Sequence, residues 1–207
     1  PYFTDDGVSR TFDLYYRTTR PPIYLTDVDF KVVTKGASVN FGVPFTEFDR
    51  VFLGIGAEET SVDTFVNSPS RYLKYVQDFS GDPDGIGSVT TRSYPLTAAW
   101  QRDNRDSALI PTKGRYRRAN FELSPAGSAR YYRATYQDQY FWPITNSITL
   151  ALNGEVNYGA GLGNDPYPIF KNYYAGGIGS VRGFSAGSLN VNGERAASTT
   201  GYRLPIG

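Results

Sequence analysis

The sequence predicts an all-β fold, an antiparallel transmembrane β-barrel or a large piece of one. Three observations carry this. Apolar and polar residues alternate with period two in runs of about ten residues, the length of a tilted strand that crosses a bilayer. The chain of 207 residues is rich in tyrosine (17) and glycine (22) and holds no cysteine. The predicted strands end in aromatics, whose apolar rings and polar tips suit a lipid–water boundary. There is no run of eighteen apolar residues, so no transmembrane helix is expected, and barrel strands leave only a weak hydropathy signal.

The elements follow in order. In residues 8–18, Val8, Phe12, Leu14 and Tyr16 share one face, and Ser9, Thr11, Asp13 and Arg17 share the other with Tyr15. In 30–44, Ala37, Val39, Phe41 and Val43 oppose Ser38, Asn40 and Gly42. In 50–62, Val51, Leu53, Ile55 and Ala57 oppose Gly54, Gly56 and Glu58. A single strand is expected over 88–103, with Tyr94, Leu96, Ala98 and Trp100 on one face. In 114–123, Ala119, Phe121 and Leu123 oppose Arg118, Asn120 and Glu122. In 131–142, Tyr132, Ala134, Tyr136, Tyr140 and Trp142 align, with Asp138 interrupting the apolar face. In 147–158, Ile148, Leu150, Leu152, Val156 and Tyr158 oppose Thr149, Asn153, Glu155 and Asn157. No stretch shows convincing helical periodicity, and residues 63–87 read as a long loop. Short turns at 44–50 and 142–147 against longer connections elsewhere fit a barrel with short turns at one end. The expected girdle aromatics are Tyr16, Phe45, Phe48, Trp100, Tyr140, Phe141, Trp142 and Tyr158. A soluble β-sandwich shares the composition and the alternation; the loop rhythm and the terminal aromatics favour the membrane reading.

Composition excludes several functions. Lysine plus arginine is 21 against 20 for aspartate plus glutamate, so the clustered cationic excess of a nucleic-acid binder is missing. With no histidine and no cysteine, His- or thiol-based catalysis and the usual zinc sites are ruled out. No cofactor is expected and no catalytic residue is assigned. The glycine-rich "GIGSVRG" and "GAGLGN" do not continue as a phosphate loop. "DFSGDPDG" (78–85) has the alternating acids of a calcium loop but no closing glutamate, and reads as a solvated loop tip. The sequence begins at Pro1, contains no methionine and ends in "RLPIG", so it is expected to be an internal piece of a longer protein.

One stretch stands apart. In "YYAGGIGSVRGFSAG" (173–187), Gly176, Gly177 and Gly179 free the backbone for close approach, and Gly183 follows the lone cation Arg182. A guanidinium there has five donors in a rigid fork, suited to a carboxylate in a partly dry site. A flexible surface loop with a solvated arginine is the plain alternative.

"GGIGSVRGF" resembles the VRGF/Y loop motif of the bacterial surface antigen family of outer-membrane assembly and translocation proteins. "PYFTDDGVS", "GVPFTEFDRVFLGIGAE", "RDSALIPTKGRY", "FELSPAGSARYYRAT" and "PIFKNYYAGGIGSVRGF" are similar to family barrel segments and stand in the family's order. The resemblance implies that residues 1–207 are a partial barrel domain of about seven to eight strands out of sixteen, an open curved sheet without the terminal strands or the periplasmic POTRA domains. Strand four would end at 1–4, the seven predicted strands would be five to eleven, and loop six would begin at 159. The resemblance further implies that loop six tucks into the lumen. Arg182, within the motif Val181, Arg182, Gly183 and Phe184, would then contact acidic wall residues beyond Gly207. The implied task is the folding and insertion of other β-barrels without covalent chemistry. The implied partners are unfolded outer-membrane β-barrel clients, accessory outer-membrane lipoproteins and the lipid bilayer. A translocation factor of the TamA type, a two-partner secretion pore and a passive porin remain alternatives.

Overall fold

A computed structural model describes residues 7–20, 29–145 and 147–173. Eight strands form one antiparallel sheet: β1 (Ser9–Thr19), β2 (Phe30–Pro44), β3 (Asp49–Thr64), β4 (Gly87–Ser93), β5 (Leu96–Asp103), β6 (Gly114–Ser124), β7 (Tyr131–Thr145) and β8 (Ile148–Gly161). The order is β1-β2-β3-β5-β6-β7-β8, with β4 paired to the far half of β3. Consecutive strands pair, as hairpin-connected strands do, except that β4 and β5 both pair with β3. The sheet does not close on itself, in keeping with the expected open piece of barrel.

The predicted strand over 88–103 is two strands. Proline lacks the N–H a ladder needs, and pairing stops at Tyr94 and Pro95. The register does not slip: β3 pairs Glu58 with Ser93 before the break and Ile55 with Leu96 after it. Across the gap the Pro95 carbonyl still accepts from Gly56 N at 2.9 Å.

The two faces separate as the alternation requires. Phe12, Leu14, Tyr16, Leu53, Ile55, Phe121, Trp142, Leu152 and Val156 are exposed on the outer face, Leu14 at 88%. On β3 the outer positions Val51, Leu53, Ile55 and Ala57 lie between Asp49 and Glu59. That interval is about 33 Å of strand at ~3.3 Å per residue, or about 25 Å in height at ~40° tilt, the height of a barrel's apolar band. Of the expected girdle, Tyr16, Tyr140, Trp142 and Tyr158 are exposed on this face and Phe45 and Phe48 at the adjoining turn. Phe141 alternates onto the inner face beside Gly114.

The segment read as a plain loop contains a helix, α1 (Ser70–Ser80). Tyr72, Tyr75, Val76 and Phe79 fall at i, i+3, i+4 and i+7, a helical stripe made mainly of rings. Gly81 ends it in the left-handed conformation (φ 75°), its N–H bonding Gln77 O at 2.9 Å. The stripe packs on the inner face of the sheet at the long-loop end, against Phe30, Val32, Val62 and Val89. Phe30 and Tyr72 stack at 4.3 Å. Tyr75 meets the Thr91 hydroxyl at 3.1 Å. "DFSGDPDG" is thus the helix end and the turn after it: Asp78 pairs with Lys74 at 3.3 Å, and Asp82 accepts from Asp84 N at 3.2 Å. No metal-holding acidic group occurs among the described residues.

Candidate functional site: a loop root docked on the inner wall

The inner face is polar because its strand positions are Ser, Thr, Asn, Glu, Arg and Gly. At the long-loop end the chain leaves β8, turns, and lies back along this wall over residues 162–173. Leu162 N bonds Arg130 O at 3.0 Å. Arg130 holds Asp165 through Nε at 2.6 Å and Nη2 at 3.1 Å. The Arg130 hydrogen bonds pull the Asp165 carboxyl below the usual carboxylate range. Tyr167 meets the buried Tyr131 edge-on at 6.0 Å, and its hydroxyl donates to Lys171 O at 2.9 Å. Ile169 joins the core beneath α1, and Phe170 contacts Tyr75 edge-on at 5.9 Å.

The next residue carries the charge. Lys171, on the single 3₁₀ turn Ile169–Lys171, places Nζ 2.6 Å from Glu58 Oε2 and 3.1 Å from Glu122 Oε1. Its directed hydrogen bond goes to Glu122, and the Glu58 approach is a charge contact. The three side chains are 12%, 13% and 14% exposed, so water screens them little. Arg133 Nε reaches Glu122 Oε2 at 3.1 Å, and the Tyr131 hydroxyl donates to Glu122 Oε1 at 2.5 Å. The Tyr15 hydroxyl donates to Glu58 Oε1 at 2.5 Å. Two cations therefore meet two carboxylates, and the group is neutral, as a half-dry site demands. Four strands contribute to it: β1, β3, β6 and β7.

Gly36 makes the arrangement possible. Tyr15 must cross β2 to reach Glu58 on β3, and a Cβ at Gly36 would sit 2.5 Å from the Tyr15 ring. Beyond Lys171, the Tyr173 hydroxyl donates to Ala134 O at 3.2 Å and accepts from Thr135 at 3.0 Å, with Arg133 over its ring at 5.5 Å.

Gly176, Gly177, Gly179, Val181, Arg182, Gly183 and Phe184 lie outside the described residues, as does the expected strand end at 1–4. The sequence reading missed Lys171, Glu58 and Glu122. Their signal was present only as inward-facing carboxylates on two strands and one cation eleven residues before Arg182; nothing in the spacing brings them together without the docked turn Ile169–Lys171.

The Omp85 superfamily domain matches residues 1–204. The chain belongs to the Omp85 superfamily. Among Omp85 relatives, the outer membrane protein assembly factor BamA of Neisseria meningitidis is 39% identical over the whole of this chain. BamA of Nitratidesulfovibrio vulgaris is 22% identical over 84% of it. The chain spans 26% and 21% of those two proteins. The solved structure of BamA from Haemophilus ducreyi lacking POTRA domains 1–3 superposes with a TM-score of 0.80 at 26% identity, over 91% of this chain and 37% of that one. The open sheet is thus similar to part of an Omp85 barrel wall.

Proposed function

We propose that this chain is barrel wall of a bacterial outer-membrane assembly factor that folds and inserts other β-barrels. The observation that carries the reading is the occupied inner face. A passive pore needs a clear lumen, whereas here the root of the long loop is held against the wall by Lys171 between Glu58 and Glu122. The similarity to proteins named as assembly factors supports the same task. Client proteins would gain backbone hydrogen bonds at a seam elsewhere in the whole barrel, so that no strand meets hydrocarbon unpaired. The wall described here holds the loop and resists the bilayer, and no covalent step is assigned to it. Partners on this reading are unfolded β-barrel clients, accessory outer-membrane lipoproteins and the lipid itself.

Depletion of the native protein tests this. Folded, heat-modifiable β-barrel proteins should fall in the outer membrane while their unfolded forms accumulate in the periplasm. Normal barrel levels with only a change in solute conductance would refute the proposal in favour of a pore. Loss of one secreted product alone would move it to a translocation factor.

A further inference from the structure

One row of the outer face is not explained by its apolar surroundings. Asp49 of β3, Arg102 of β5, Arg117 of β6 and Asp138 of β7 stand opposite one another in register. Apolar residues continue past the row on the same face toward the short turns: Tyr140 and Trp142 on β7, and Ile148, Leu150 and Leu152 on β8, all exposed. The apolar band shifts along the register from strand to strand, as tilted strands require. At its β7 end the row therefore lies within the lipid-facing surface.

The carboxylates of the row are already engaged. Asp49 takes Arg102 Nη1 at 3.5 Å and the Trp100 indole N–H at 3.2 Å. Asp138 is held by Arg115 through Nε at 2.8 Å and through Nη2. Arg117 lies between, its guanidinium 5.6 Å over the Trp100 ring. Among the described residues no carboxylate is within ion-pair distance of it, and the neighbouring Arg102 Nε has no acceptor. Three arginines face two aspartates, so one positive charge is left over. Arg102 and Arg117 are also a directly opposed like-charged pair, an arrangement that destabilises a sheet unless an anion sits between.

We propose that Arg117, with Arg102 beside it, binds the phosphate of a phospholipid in the leaflet at the short-turn end, the periplasmic side of bacterial barrels. A guanidinium fork matches a phosphate with two parallel hydrogen bonds. The arginine stem is long enough to run along apolar surface and carry its head toward the headgroup layer. Trp100 and Tyr140 supply the amphipathic rings that lie at that level. One phosphodiester charge balances the row. The inference rests on the outer-membrane reading, and its test separates the two: a protein that still inserts and matures client barrels but holds no Arg117-dependent lipid overturns the lipid site alone.

The test is native mass spectrometry of the native protein in nonionic detergent, titrated with phosphatidylglycerol or with diacylglycerol of the same acyl chains. The wild type should retain phosphatidylglycerol and bind diacylglycerol about tenfold more weakly, the equivalent of one charge-assisted contact. Arg117→Gln should lose about tenfold in phosphatidylglycerol affinity, and Arg118→Gln, on the inner face, should lose none. Equal retention of the two lipids by the wild type overturns the proposal even if Arg117→Gln fails to fold. So does an Arg117→Gln protein that matches the wild type, or displacement of the lipid by millimolar inorganic phosphate.

Discussion

Replacing Lys171 by methionine keeps the length of the stem and removes the charge. Glu122 retains Arg133 at 3.1 Å and the Tyr131 hydroxyl, so it stays compensated. Among the described residues Glu58 retains only the Tyr15 hydroxyl, so the stranded negative charge falls there. Removing one partner of a buried ion pair typically costs about 3–5 kcal/mol; with Glu122 still paired, the lower end, about 3 kcal/mol, is expected. That is about two decades in the docking equilibrium of the loop root. Urea unfolding of the native protein in detergent micelles reads the loss, provided the slope is unchanged. The mechanism makes a sharper claim. Glu58→Gln in the Lys171→Met background removes the stranded charge and should recover at least about 1 kcal/mol, because the two sites share one interaction. Purely additive losses in that double-mutant cycle would refute the charge-pairing account.

Gly36→Ala should push the Tyr15 ring away from Glu58 and cost about 1.5–3 kcal/mol, the range for a hydrogen bond to a charged group; Tyr15→Phe added to it should cost little more in the same unfolding assay. Val76→Ala hollows the contact between α1 and the sheet at a side chain 1% exposed, and should cost about 2 kcal/mol. Hydrogen exchange should then rise in α1 while β6 and β7 stay protected. Asp106, in the loop after β5, accepts from the Thr112 hydroxyl at 2.5 Å and from the backbone of Lys113 at 3.1 Å, and its carboxyl is pulled down to about 2. Its folded value lies below its unfolded one, so its contribution is present above about pH 4 and lost as the pH falls toward 2. Exchange at Thr112 N and Lys113 N should accelerate over that window, and Asp106→Asn should abolish the pH dependence.

The strands were legible because each meets lipid on one side and a polar interior on the other, which forces strict alternation; Phe12, Leu14 and Tyr16 against Thr11, Asp13 and Arg17 is the pattern at its plainest. Pro95 was visible, but not that β3 would carry the register across it. The helix was missed because its stripe is Tyr72, Tyr75 and Phe79 with a single aliphatic Val76, in a stretch between strands where ring residues pass for loop residues. The docked loop root was missed for a different reason. Glu58 and Glu122 are 64 residues apart and sit among other inward polar residues; the register of β3, β5 and β6 puts Glu122 across from Thr97 and Gly54, four residues along β3 from Glu58, and it is Lys171 reaching in from the loop that joins them. The glycines around Arg182 drew attention to a cation outside the described residues, whereas Lys171 has no local signature, being one charge between an apolar Phe170 and a polar Asn172.

The break at Pro95 leaves β4 with a partner on one side only, and the residues that cover its other side have a bearing on strand exchange. Residues 125–130 take the place of a strand there, next to the end of β6: Ala129 N bonds Arg92 O at 3.0 Å, Arg92 N bonds the Ser128 hydroxyl at 2.8 Å, and Tyr94 N bonds the hydroxyl of Ser124, the last residue of β6, at 3.1 Å. Unpaired edges recruit passing chains. On the proposed assembly reading, a barrel that offers one free edge to incoming strands has to deny them every other edge, or clients would lodge in the wrong place. Residues 125–130 act as a permanent dummy strand, sealing a false doorway in the wall.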